Sequence, residues 1–191
     1  MARAQQKRTL ETRARLIAAA EEIIAESGFE ALRIEEVVLR AGTAKGTFFA
    51  HFKDKDRLMD QIIGQRIDAY LDDLEKRPAP RTVEDLVEAL LPLAAFMTCE
   101  RYVFDVILRY SGAAAVEEIG PIAATFWRQG EVFARWLAEA PFRRDIEPDL
   151  QAEGVSAFLI QAMAVQFCAL HEAQSFEDRL ITYLRAWLTP G

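Results

Sequence analysis

Apolar residues recur at three- and four-residue intervals along nearly the whole chain, and nowhere do they alternate with polar ones over the length of a strand. That spacing places them on one side of a helix, so an all-α fold is expected. Alanine, leucine, glutamate and arginine, all good helix formers, dominate the sequence. With 51% apolar and 28% charged residues over 191 positions, the chain can bury a substantial core and is neither disordered nor fibrous in composition. Its most apolar stretch, 155–170, is interrupted by Ser156, Gln161 and Gln166 and is too short to span a bilayer. No apolar segment follows the basic residues at the start, so a cytoplasmic chain without a membrane partner is expected. Cys99 and Cys168 form no CxxC pair, and His51 and His171 lie far apart. Neither a disulfide framework, a metal site nor a cofactor is indicated. The rival reading as a helical-bundle enzyme fares poorly, because the Glu-x-x-His motifs of di-iron bundles are missing and no catalytic constellation stands out.

The net charge of −7 conceals an asymmetry. Residues 1–57 hold 11 Lys/Arg and 9 Asp/Glu, whereas residues 58–191 hold 12 and 21. The first fifteen residues carry Arg3, Lys7, Arg8, Arg13 and Arg15 against Glu11. Phosphate attraction needs a local basic face and not a basic protein, so the split permits nucleic-acid binding by the N-terminal part.

The periodicity predicts a first helix from about Thr9 to Ser27, ended by Gly28, with Leu16, Ile17, Ala20, Ile23 and Ile24 as its buried stripe. Short helices follow over Ile34–Ala41 and from Thr43 or Ala44 to His51, separated by Gly42, and a long one over Lys55–Lys76. Arg77-Pro-Ala-Pro-Arg81 is the clearest break, and Thr82 with Asp85 makes a capping box for the next helix, which reaches Thr98 with Pro92 inside it. Further helices are expected over Glu100–Ser111, Val116–Ala140 with a restart at Pro121, Asp149–Ala173 and Phe176–Leu188.

Two short helices joined by a glycine turn and packed on a longer first helix can push the second of the pair into a major groove. Here that second helix opens Thr43-Ala-Lys-Gly-Thr47, so small and polar residues stand where base edges would be met. Gly46 keeps bulk low beside DNA, Lys45 can reach a guanine edge or a phosphate, and Thr47 can hydrogen-bond either. Phe48 and Phe52 should anchor the helix inward. A glycine between short helices also occurs in proteins that never touch DNA, and a lysine is by default a solvated surface charge. The whole constellation in one register is what favours the functional reading.

The segment from about Arg13 to Leu58 closely resembles the TetR family of transcriptional regulators, through Leu16, Ala19-Ala20, Gly28-Phe29, Arg40-Ala-Gly42, Lys45-Gly-Thr47, His51-Phe52, Lys55 and Leu58. The resemblance implies that Thr43, Lys45, Gly46, Thr47, Phe49 and His51 lie on the DNA-reading helix or its phosphate-contacting flank, and that Lys55 meets phosphate at the start of the fourth helix. Four positions depart from the family pattern. Phe49 stands for a tyrosine, Arg33 for a small hydroxyl residue and a possible phosphate contact in its place, Val38 for an alanine, and Ala44 for a serine cap, leaving Thr43 to serve. The implied organisation is a helix-turn-helix DNA-binding domain over 1–54, a connector helix over 55–77 and a ligand-binding and dimerisation domain over 78–191, about nine helices in all. The implied partners are double-stranded operator DNA, a small-molecule effector and a second copy of the chain, the effector being hydrophobic and releasing a repressor from a palindromic operator. A TetR-like ligand-binding or protein-interaction module without DNA binding is the alternative.

In the C-terminal half, Gly154, Ala157, Gln161, Ala164 and Cys168 form a stripe of small residues suited to close helix approach, and with Leu184 they are the expected dimer face. The same stripe could equally be internal core. Phe96, Tyr102, Arg109, Phe126, Trp127 and Phe167 are the expected effector-binding residues, although aromatics at helical spacing more often pack than line a cavity.

Overall fold

The structure, a computed structural model, describes residues 2–112, 119–168 and 174–189. Among the described residues there are nine helices and no strand: α1 (Ala2–Ser27), α2 (Ile34–Arg40), α3 (Lys45–His51), α4 (Lys55–Glu75), α5 (Val83–Met97), α6 (Arg101–Tyr110), α7 (Pro121–Glu139), α8 (Pro148–Gln166) and α9 (Phe176–Leu188). No helix among them is long and apolar enough to cross a membrane.

Helices α1–α3 form one unit around Leu16, Ala20, Ile23, Val37, Phe48 and Phe52, all buried. Helix α4 leaves this unit and becomes the spine of the second, packing on α5, α6 and above all α7. Its inner side, Leu58, Ile62, Ile63, Ile67 and Leu71, is fully buried. Helix α8 lies between α7 and α9, and α9 closes the bundle against α5.

Local chemistry sets most of the boundaries. Gly28 takes φ +87° and its amide bonds the Ile24 carbonyl at 2.9 Å, closing α1 with the left-handed residue that glycine adopts without strain. The Asp85 amide donates to Thr82 Oγ1 at 3.0 Å and the Thr82 amide to Asp85 Oδ2 at 3.1 Å, so the expected capping box is present. Pro121 and Pro148 occupy the first turns of α7 and α8, where a missing N–H costs nothing. In α7 the next amide, Ile122, donates 3.0 Å to Asp60 of α4, a carboxylate buried at the crossing.

Two boundaries differ from expectation, and a third lies in part outside the described residues. Helix α1 begins at Ala2 instead of near Thr9, because residues 2–8 hold helix formers and no breaker. Helix α7 begins at Pro121, and the expected start at Val116 lies outside the described residues. Helix α8 ends at Gln166, and the expected continuation through Leu170 and His171 to Ala173 also falls outside them.

Candidate functional site

The turn between α2 and α3 is built by a glycine. Gly42 takes φ +61°, its amide bonds the Leu39 carbonyl at 3.1 Å, and the Thr43 amide reaches back to Val38 at 2.9 Å. This pair of bonds is a Schellman closure, which reverses the chain in two residues and launches α3 across α2. Phe48 is fully buried and meets Phe52 at 5.6 Å between ring centroids, so one side of α3 is pinned. Lys45, Gly46 and Phe49 lie on the opposite, exposed side, with Thr47 half-buried.

Thr43 does not take the capping role expected of it. The N-cap of α3 is Ala44, without a side-chain bond, and Thr43 Oγ1 is buried with no hydrogen-bond partner among the described residues. The Schellman closure makes Thr43 its last residue and turns the hydroxyl inward. Arg33, at the N-cap of α2, donates to the carbonyls of Glu30 and Ala31, both at 2.9 Å, and so ties down the α1–α2 turn while staying exposed. Lys45 Nζ lies 2.6 Å from Glu35 Oε1, and that lysine holds the carboxyl of Glu35 below its usual range. Half-buried His51 gives its carbonyl to Arg13 Nη1 at 2.9 Å; the Arg13 guanidinium lies 4.2 Å over the Phe52 ring and reaches Gln61 at 3.0 Å.

Lys55, expected at the phosphate-contacting start of the fourth helix, is half-buried there. Its ammonium donates 3.0 Å to the Glu30 carbonyl and sits 4.5 Å over the Tyr102 ring. Burial, and then neighbouring Arg33, pull its pKa down. The residue binds the α1–α2 turn to α4 and α6, because folding carries α6 across the start of α4.

Helix α6 grips the N-terminal unit at further points. The Glu100 carboxylate accepts the amides of Phe29 at 2.8 Å and Glu30 at 2.9 Å. Asp56, at the start of α4, accepts the Tyr102 hydroxyl at 3.1 Å and pairs with Arg109. Burial, then Asp56, push the Tyr102 phenol well above its usual range. Glu100, Asp56 and Arg13 were missed by sequence reasoning. Glu100 lies 71 residues from Phe29, and no local pattern announces such a partner.

Among the described residues, the six residues expected to bind an effector make contacts in several different places. Phe96 is buried, stacked on Tyr70 at 5.7 Å and tilted against Phe29 at 6.2 Å, so it belongs to the contact between the two units. Tyr102 and Arg109 serve Asp56, and Phe167 stacks on Phe104 at 5.5 Å. Phe126 and Trp127 line a groove of about 640 Å³ between α7 and α8, shared with Gly130, Ala134, Ala152 and Ser156 and edged by the carboxylates of Glu131, Asp149 and Glu153. Trp127 is 76% exposed there.

The expected dimer face divides. Ala157 and Gln161 are exposed and Ala164 half-buried along the outside of α8, and half-buried Cys168 lies just past its end. Leu184, in contrast, is fully buried on the inner side of α9, which packs on α5 and α8. Gly154 also faces inward, since a Cβ on it would collide with the Trp187 ring. Both therefore hold α8 against α9 within the chain.

Residues 16–62 match the family model described as bacterial regulatory proteins, tetR family. The chain is 32% identical over 100 residues to the uncharacterized HTH-type transcriptional regulator YvdT of Bacillus subtilis (strain 168), a stretch that is 52% of each protein, so it spans about half the length of that relative. Among solved structures it resembles Thermus thermophilus FadR, a TetR-family transcriptional repressor in complex with lauroyl-CoA, with a TM-score of 0.63 at 18% identity over 92% of both chains. It also resembles RolR in complex with resorcinol, with a TM-score of 0.67 at 23% identity over 95% of this chain and 90% of that one. Residues 16–62 thus match the tetR family of bacterial regulatory proteins, and the described helices share the fold of Thermus thermophilus FadR and RolR.

Proposed function

We propose that the chain is a ligand-responsive transcriptional regulator, a cytoplasmic homodimer that represses from a palindromic operator and leaves it when a small hydrophobic effector binds. The observation that carries this reading is Gly46. It sits inside α3 at an ordinary φ, and a Cβ there would meet nothing within 4 Å. Nothing inside the protein asks for glycine, which costs a helix about 1 kcal/mol relative to alanine. A surface approaching from outside would ask for it, and a groove edge of DNA is such a surface.

In this reading Lys45, Thr47 and Phe49 meet base edges or the adjoining backbone, while His51 and Arg33 flank them. The outer stripe of α8, Ala157, Gln161 and Ala164, with Cys168 just past its end, meets its twofold mate, which suits half-sites about 34–36 Å apart or a multiple. The effector occupies the groove beside Phe126 and Trp127. Its binding shifts the population toward a state in which α6 no longer holds the reading unit in place. Selection of genomic fragments by the purified protein tests the proposal: a regulator enriches a palindrome, whereas a DNA-free ligand or interaction module enriches nothing. Lys45→Ala or Thr47→Ala should then cost about 1–3 kcal/mol of sequence discrimination.

A further inference from the structure

Helices α7 and α8 turn matching stripes toward the groove between them. Trp127, Gly130 and Glu131 stand at positions i, i+3 and i+4 of α7, and Asp149, Glu153 and Ser156 at i, i+4 and i+7 of α8. Its volume of about 640 Å³ is that of a cleft for a small organic molecule. One wall is fixed from behind, because Ser156 accepts a hydrogen bond from the buried Gln129 side chain at 3.2 Å.

The groove has features that nothing inside the chain uses. Among the described residues, Glu131, Asp149 and Glu153 form no ion pair. Asp149 suits the first turn of α8, where the helix dipole favours a negative charge, but Glu131 and Glu153 lie beyond any first turn. The lining includes no lysine, arginine or histidine. Arg128, beside Trp127 in sequence, is held by Asp68, Asp72 and Glu75 of α4 at 2.6 to 2.9 Å. The Trp127 indole is left largely in water, with half-buried Phe126 next to it. Gly130 sits mid-helix at an ordinary φ, and a Cβ there would meet nothing within 4 Å. Glycine is a poor helix former, so the space beside it answers to something that enters from outside.

An aromatic face beside unpaired carboxylates complements a positive charge carried on an apolar body. A second copy of the chain fits less well, because residues 58–191 hold 21 acidic against 12 basic side chains. We propose that the groove takes an organic cation, a quaternary ammonium or similar group on an apolar body. Trp127 lies against its charged head, and Glu131 and Glu153 supply the counter-charge. The proposal rests on the reading of this groove as the effector site and adds the ligand's charge.

The test is calorimetric titration of the full chain with (1-naphthylmethyl)trimethylammonium and with the matched anion 1-naphthylmethanesulfonate. The cation should bind roughly tenfold tighter or more, less so as salt is raised, and Trp127→Ala or Glu131→Gln/Glu153→Gln should each weaken it by roughly tenfold. Gly130→Leu fills the groove without a clash inside the chain, so it should abolish binding while the melting temperature holds. Equal affinity for cation and anion overturns the proposal. So does cation binding that survives both Gly130→Leu and Trp127→Ala, which would mark general attraction to an acidic protein. Loss of self-association by Trp127→Ala in sedimentation would assign the groove to a second copy and overturn it too. A protein that selects a palindrome yet ignores the cation loses this proposal alone, whereas one that binds the cation but selects no DNA loses only the regulator.

Discussion

The Glu100 carboxylate straddles the α1–α2 turn, accepting the Phe29 amide at 2.8 Å, and leaves no room for a side chain at Gly28, where a Cβ would stand 2.7 Å from Glu100 Oε1. A residue at the head of α6 thereby fixes the point at which α1 hands over to α2. Whatever moves α6 moves that turn.

Replacing Glu100 by alanine should destabilise the protein by about 1–2 kcal/mol, since two amides lose a charged acceptor at a partly wet site, and Glu100→Gln should fall in between. Gly28→Ala should cost about 1–2 kcal/mol for its left-handed backbone alone, plus the collision with Glu100. Urea unfolding of the double variant should recover the collision but not the backbone cost. Strict additivity of the two losses would show that the carboxylate does not press on the turn.

Glu35 competes for Lys45 at 2.6 Å and places a negative charge where DNA is proposed to lie. Glu35→Gln should therefore tighten operator binding, most clearly at low salt, where exposed charges are least screened. Weaker binding by this variant would mean that the carboxylate orients Lys45 for its contact.

Gly154→Ala gains about 1 kcal/mol of helix propensity but drives a methyl into Trp187, whose indole N–H is anchored to the Gln151 carbonyl at 3.1 Å. Overpacking of this kind costs about 1–3 kcal/mol, so a net loss of thermal stability is expected. Ala157→Arg, one turn along on the exposed side of α8, should leave the protomer's stability unchanged and abolish self-association in sedimentation.

Asp60 is buried at the start of α7, and desolvation raises its pKa despite the Ile122 amide and Arg57. The folded state then keeps this proton to higher pH than the unfolded chain does. Its contribution to stability is greatest at low pH and is lost as pH rises from about 3.9 through the raised value. Asp60→Asn keeps an acceptor for Ile122 without that charge. The stability of wild type relative to Asp60→Asn should rise as pH is lowered through this window, in chemical melts at a series of pH values. A difference that stays flat would show the carboxylate to be well solvated.

Much was readable in the sequence because the forces involved are short-ranged. The capping box at Thr82 and Asp85, the positive φ at Gly28 and Gly42, and the inward Phe48 and Phe52 each follow from residues within one or two turns. The candidate site was readable to the same depth, with α3 presenting Lys45 and Gly46 outward. Thr43 went wrong on orientation, since a cap assigned by residue type took no account of a turn that rotates its hydroxyl inward.

The sequence by itself determined the helical stretches and a glycine-hinged pair, because backbone propensity and apolar spacing act locally. Only the tertiary structure decided that Lys55 braces Tyr102, that Glu100 caps a turn 71 residues away, and that Leu184 and Gly154 face inward while Trp127 faces out. Those outcomes depend on which faces of distant helices come to lie together, and a helical stripe specifies that a side is buried but not what will cover it.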